Sequence, residues 1–242
     1  MRFYRLAERN MKEIYRDPLT TSLGVLLPLL MLVLFNTIYS RTGLQVFSPL
    51  NLAPGVTIFS YTLIVMFASV LLAKDRRNAF LVRLYTTPLR PADFIFAYML
   101  PFLPFALMQT AVCLILGALM GAVYQQLLLS LLVFFLMALS CTGLGVILGA
   151  LFTENQVSAV GSILIVVVSL FSGAWMELKM VGGIFARIAY LMPFAHAIDS
   201  LRAIMNGAVF SDYSSSFFIV LGYTLTFSVL AVLAFRHAMK HP

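Results

Sequence analysis

Six long apolar stretches, none with a charge in its middle, run through this chain at residues 19–40, 56–73, 94–120, 127–152, 157–174 and 217–235. Each is long enough to cross a hydrocarbon core of roughly 30 Å, which takes about 20 helical residues. Backbone N–H and C=O groups find no water there, so the stretches are predicted to be helices and not open sheet. The composition agrees, since 62% of the 242 residues are hydrophobic and 10% charged, against about 45–50% and 25% in soluble domains. Little sequence is left for a water-soluble catalytic domain. The predicted fold class is an all-α polytopic membrane protein with six transmembrane helices. Cys113 and Cys141 both fall inside apolar runs, where they read as small buried hydrophobes and not as a disulfide framework.

In such a chain lysine and arginine report first on topology, through their excess on the cytoplasmic side. The N-terminal segment holds Arg2, Arg5, Arg9, Lys12 and Arg16; residues 74–93 hold Lys74, Arg76, Arg77, Arg83 and Arg90; the C-terminus holds Arg236 and Lys240. Opposite them stand only Arg41, Lys179, Arg187 and Arg202. Twelve against four predicts that both termini are cytoplasmic, as an even number of spans requires. That bias explains the net charge of +7 without nucleic acid.

Residues 1–18 do not read as a cleavable signal, because a mixed-charge stretch precedes a full-length span. The basic residues recur there at three- and four-residue steps, with Phe3, Tyr4, Ala7, Met11, Ile14 and Tyr15 on the other face. This is the pattern of an amphipathic interfacial helix, either an anchor or a contact for a partner. Residues 19–242 form the six-span domain. Within it, the cytoplasmic segment 74–93 mixes charge with Phe80, Leu84 and Tyr85, an apolar set that the N-terminal helix or a partner would cover. The extracellular connection 175–216 is too long for a turn and too apolar for a solvated loop. It reads as a re-entrant pair of short helices, 181–193 and 194–205, before the last span. His196, Asp199 and Arg202 recur every three residues there and are predicted to form a structural extracellular ion pair.

Catalytic patterns are missing. No glycine is followed two positions later by serine, as a hydrolase nucleophile turn requires, and none is followed by lysine, as a phosphate-binding loop requires. His237 and His241 lack a third ligand, so neither a metal nor a cofactor is expected in the chain. Within the spans, Gly117/Gly121 and Gly145/Gly149 are small-xxx-small pairs suited to close helix approach, and Pro101 and Pro104 should kink the third span. Hydroxyls recur in the second span (Thr57, Ser60, Tyr61, Thr62, Ser69) and the fifth (Ser158, Ser162, Ser169, Ser172). They are read either as back-bonded to their own helices or as lining a path for an amphipathic substrate.

The ordered set Leu84-Tyr85-Thr86-Thr87-Pro88-Leu89, Thr153-Glu154-Asn155-Gln156 and Ile188-Ala189-Tyr190-Leu191-Met192-Pro193-Phe194, continuing to Ile198-Asp199-Ser200-Leu201-Arg202, resembles the permease subunit of type-2 ATP-binding-cassette (ABC) exporters. The resemblance covers nearly the whole chain. It departs at residues 75–80, which read Asp75-Arg76-Arg77-Asn78-Ala79-Phe80 where the family often has an acid and a Gly-Thr pair.

The resemblance implies a homodimer, or a related heterodimer, in the cell (plasma) membrane among membrane lipids. It also implies a separate ATPase subunit that holds ATP and Mg. Coupling to that subunit would fall on the N-terminal helix and on Arg76, Arg77, Phe80, Leu84, Tyr85, Thr86 and Glu154. Spans two and five of both copies would line the path at Ser60, Thr62, Ser162 and Ser169. Phe59 and Phe171 are predicted near the outer leaflet, as an apolar gate that closes by dewetting. An apolar path dotted with hydroxyls favours a lipid, drug, antibiotic or lipid-linked molecule. An ATP-independent secondary carrier is the alternative, disfavoured by the absence of midplane charges and of an internal repeat.

Overall fold

The computed structural model describes residues 2–78 and 91–240. These residues form helices α1 (Arg2–Arg16), α2 (Pro18–Thr42), α3 (Pro49–Arg77), α4 (Pro91–Met99), α5 (Phe102–Leu119), α6 (Leu127–Leu151), α7 (Glu154–Phe171), α8 (Leu178–Val181), α9 (Gly183–Ala189), α10 (Pro193–Met205) and α11 (Phe210–Lys240). No strand occurs among the described residues. Among the described residues six helical segments are long and apolar enough to cross a membrane: Thr21–Thr42, Pro49–Arg77, Asp93–Leu119, Leu127–Leu151, Glu154–Phe171 and Phe210–Ala238.

The third crossing is divided between α4 and α5 at Leu100 and Pro101. Pro101 lacks the N–H that would continue the ladder, whereas Pro104 falls in the first turn of α5, where no intrahelical donor is needed. The connection before the last span differs from expectation in its bounds. It folds as the single turn α8 and the short helices α9 and α10, while α11 begins at Phe210 and so takes in residues assigned above to the connection.

The second crossing, α3, is the hub. It packs against α2, α5, α6, α7 and α10, and 78% of its most apolar window is buried, against 17% in α7. Leu52, Val56, Ile64, Val65 and Leu72 are fully enclosed. With lipid tails as apolar as leucine, burial alone does not drive such packing, and small residues and interhelical hydrogen bonds must supply it. Both are present. A Cβ on Gly145 would meet Val65 O at 2.8 Å, and one on Gly149 would meet Ser69 O at 2.6 Å, so these two glycines set the approach of α6 to α3. The Gln109 amide on α5 donates to Gly24 O on α2 at 2.6 Å. Ser140 on α6 bonds Thr224 on α11 at 2.8 Å, and Tyr61 on α3 bonds Thr110 on α5.

The Gly117/Gly121 pair is not used at both glycines. Gly121 lies past the end of α5 in a turn with φ +98°, and Gly117 alone makes room, for the Tyr124 hydroxyl and for Ala53 of α3. The spacing is the same as in Gly145/Gly149, but the helix stops too early to use it.

Because a methyl on Gly149 strikes a backbone carbonyl that cannot swing away, Gly149→Ala is expected to destabilise the protein by about 1–3 kcal/mol. Gly222→Ala, where a Cβ meets nothing within 4 Å, should be neutral or slightly stabilising. Thermal unfolding in detergent distinguishes the two.

Candidate functional site

Four consecutive residues at the C-terminal end of α3 between them reach the ends of four other helices. Asp75 is the anomalous one. A carboxylate there sits at the negative end of the helix dipole, and this one is only 2% exposed. Such a charge persists only when paired and hydrogen-bonded. Arg9 of α1 supplies both guanidinium branches, with Nη2 at 2.8 Å from Oδ1. Tyr98 of α4 donates its hydroxyl to Oδ2 at 2.6 Å. Next to Arg9, the fully buried Asn10 donates to Ala97 O at 3.1 Å and accepts from Arg9 at 2.9 Å. The cluster therefore joins α1, α3 and α4. Burial opposes the charge of Arg9, but the hydrogen bond and charge of Asp75, with the charge of Glu13, outweigh it and hold the guanidinium pKa above its ordinary value. A raised cationic pKa gives stability present below the unfolded value and lost only above it, so this contribution is constant across the physiological range.

The remaining three residues extend the seam. Lys74 pairs with Glu13 at 3.4 Å, and Glu13 also takes Arg9 at 2.7 Å. Arg76 donates to Gly149 O and Phe152 O at 3.1 and 3.3 Å, satisfying carbonyls that the end of α6 leaves without donors. Arg77 pairs with Glu154 at 2.9 Å. Glu154 opens α7, where an acid suits the dipole, and the turn is fixed by Gln156, whose side-chain oxygen accepts the Thr153 N–H at 3.0 Å. α1 is thus bonded to the ends of α3 and α4, and α3 in turn to the ends of α6 and α7.

Of the coupling residues expected from sequence, Arg76, Arg77 and Glu154 come together here. Phe80, Leu84, Tyr85 and Thr86 lie outside the described residues, as does His241. Arg9, Asn10, Asp75 and Tyr98 were missed. The signal for them was Asp75 itself, an acid where a helix end prefers a base. The inner face of α1 is also rotated from expectation. Leu6, Ala7, Asn10 and Ile14 are buried, while Tyr4 and Tyr15 are 63% and 51% exposed. Ala7 and Ile14 of the expected face are buried, and the face is shifted because a polar residue, Asn10, lies at its centre.

At the opposite end the expected residues do not converge. Phe59 packs edge-on against Trp175 at 5.1 Å, whereas Phe171 stacks on Phe185 at 4.5 Å. The Trp175 indole N–H donates to Ser169 at 3.0 Å. Ser60 and Thr62 are fully enclosed and donate to Thr57 O and Phe59 O of their own helix. Ser162 is exposed but likewise donates to Ser158 O.

The expected ion pair of His196, Asp199 and Arg202 is replaced by three separate attachments. Asp199 accepts from the Tyr190 hydroxyl at 2.6 Å. His196 meets Tyr190 O at 2.9 Å and Ser216 at 3.3 Å. Arg202 donates to Asn51 O, Gly173 O and Ala174 O at 3.0, 2.9 and 3.3 Å. Carbonyls at the start of α3 and the end of α7 thus take the hydrogen bonds that an acid was expected to accept. Burial lowers the Arg202 pKa, and the more distant charges of Asp199 and Glu177 offset part of this. Among the described residues no group of three or more His, Cys, Asp or Glu is placed to hold a metal.

Compared with known proteins, the chain matches the family described as ABC-2 type transporter over residues 1–206. The match stops short of α11, the last crossing. No curated protein matches the chain.

Removing one partner of a buried ion pair typically costs about 3–5 kcal/mol. Arg9 keeps some solvent contact, with 37% of its side chain exposed, so Asp75→Asn should cost somewhat less, about 2–3 kcal/mol. Arg9→Gln and the double variant complete a cycle. A coupling energy above about 1 kcal/mol in detergent unfolding is expected, while additive losses would show that the pair does not act as a unit.

Proposed function

The chain belongs to the ABC-2 type transporter family as a membrane-spanning permease component, and from that premise we propose that it exports a hydrophobic or amphipathic substrate using ATP hydrolysed by a separate subunit. The observation that carries the coupling half of this reading is the seam at residues 74–77. Closure of an ATPase against α1 and the adjoining cytoplasmic segment would be felt at once by four crossings, because Arg9, Glu13, Gly149, Phe152 and Glu154 are all bonded to one helix end. ATP and Mg would reside in that partner, and the permease would supply no catalytic group.

The assembly in this reading holds two permease copies, identical or related, in the cell membrane with both termini cytoplasmic. The twelve-to-four bias of Lys and Arg supports that orientation. The exposed face of α7, with Ile163, Val166 and Leu170 more than half accessible, supports a place for the second copy and the path. Phe59 and Phe171 would act there as separate apolar constrictions, each backed by an aromatic partner in its own chain. A lipid, drug, antibiotic or lipid-linked cargo fits apolar walls of this kind. Ser60 and Thr62 would join the path only in a conformation that uncovers α3.

Arg77 and Glu154 offer a test that leaves the core intact, because an exposed pair contributes only about 0–1 kcal/mol to stability. With the chain co-purified with its ATPase and reconstituted, Arg77→Glu and Glu154→Arg should each lower substrate-stimulated ATP hydrolysis several-fold. The double exchange should restore it. Failure to associate with any nucleotide-binding subunit would remove the proposal, and unchanged stimulation in both single variants would remove the role of this pair.

A further inference from the structure

Beside the seam, a cavity of about 520 Å³ opens between α1, the start of α2, α3 and α5. Its volume lies within the roughly 300–1,000 Å³ typical of small-molecule sites. The base is apolar, built from Ile14, Met66, Phe67, Val70, Leu71 and Phe102, and the rim carries Glu13, Arg16, Asp17 and Lys74. The charge is therefore confined to one edge, and Val70 and Leu71 lie one helical turn inside Lys74. The rim also lies where the apolar segment Thr21–Thr42 begins and the apolar segment Pro49–Arg77 ends.

We propose that this cavity binds a membrane phospholipid whose headgroup carries a primary ammonium, of the phosphatidylethanolamine class. Its phosphate lies against Arg16 and Lys74, its ammonium is turned toward Glu13 and Asp17, and one acyl chain rests on the apolar base. Two cations and two carboxylates share the rim, so a purely anionic headgroup would meet repulsion along with attraction. A quaternary choline would bring a positive charge but no N–H to donate to the carboxylates. An ethanolamine headgroup meets both signs with hydrogen bonds. The acyl chain supplies the remaining selectivity, because soluble headgroups leave the apolar base uncovered.

The inference rests on the membrane-spanning fold and is independent of the direction of transport or the identity of the cargo. Its consequence is mechanical. Glu13 and Lys74 belong both to the rim and to the seam, so a lipid seated here touches the contact by which α1 is held to α3.

Native mass spectrometry of the purified full chain in detergent, with equimolar dioleoyl phosphatidylethanolamine, phosphatidylcholine and phosphatidylglycerol, tests this directly. Retention of the ethanolamine lipid should exceed that of either competitor at least fivefold. Combined Arg16→Gln and Lys74→Gln, both at exposed positions, should reduce it at least fivefold with unchanged circular dichroism. Val70→Trp, which fills the base, should reduce it as strongly with the rim charges intact. Soluble glycerophosphoethanolamine should not bind at the same concentration. Equal retention of the three lipids, preference for phosphatidylglycerol, or indifference to both sets of variants would overturn the proposal, and binding of the soluble headgroup alone would overturn the role of the acyl chain.

Discussion

The α1 end of this protein depends on a carboxylate placed where helix electrostatics oppose it. Asp75 closes the last turns of α3 at the negative end of the dipole and is withdrawn from water. Its charge is tolerated because Arg9 and Tyr98 arrive from two other helices to meet it. Reversing the logic explains the position of α1. A short amphipathic helix could lie anywhere along the membrane surface for its apolar face alone, but the location seen here satisfies Arg9 and Asn10 together. The ion pair therefore acts more as an address than as a source of stability, in keeping with the small net contribution of buried pairs.

Much of the fold was legible in the sequence, and for a definite reason. A bilayer admits helices and little else, so length and apolarity suffice to find crossings, and Gly145/Gly149 fixes which face of α6 meets α3. Legibility failed where several partners compete for one group. Arg202 was expected to take Asp199 because both lie on one helix face, yet the guanidinium bonds three carbonyls from distant segments. Spacing along a helix ranks neighbours on that helix and is blind to chain ends brought in from elsewhere. The same limit hid Asp75: the sequence displays the misplaced acid but not the arginine 66 positions earlier that answers it.

Glycine spacing shows a related limit. Gly117/Gly121 and Gly145/Gly149 are identical as patterns, and only the second is used at both glycines, because α5 ends before Gly121 and α6 continues past Gly149. The pattern is informative on a helix that continues, and continuation is set by the tertiary frame.

The two ends of α3 are held in physically different ways, and this bears on how a path could open. At the α1 end the last turn, Lys74 to Arg77, is held through side chains with long, adjustable stems, with α6 already pressed onto Ser69 O by Gly149. At the other end Gly55 lies so close to Ala174 that a Cβ there would come within 2.4 Å of its carbonyl oxygen, and Arg202 binds carbonyls of both neighbouring segments. Backbone-to-backbone contact of that kind leaves no room for sliding. On the proposed transport reading, motion imposed through the seam would therefore tilt α3 together with α6, which Gly145 and Gly149 hold against it, about the end packed at Gly55 and Arg202. Tilting about that pivot would widen the α1 end first, and would expose the hydroxyls of α3 only once the Arg202 attachments themselves gave way.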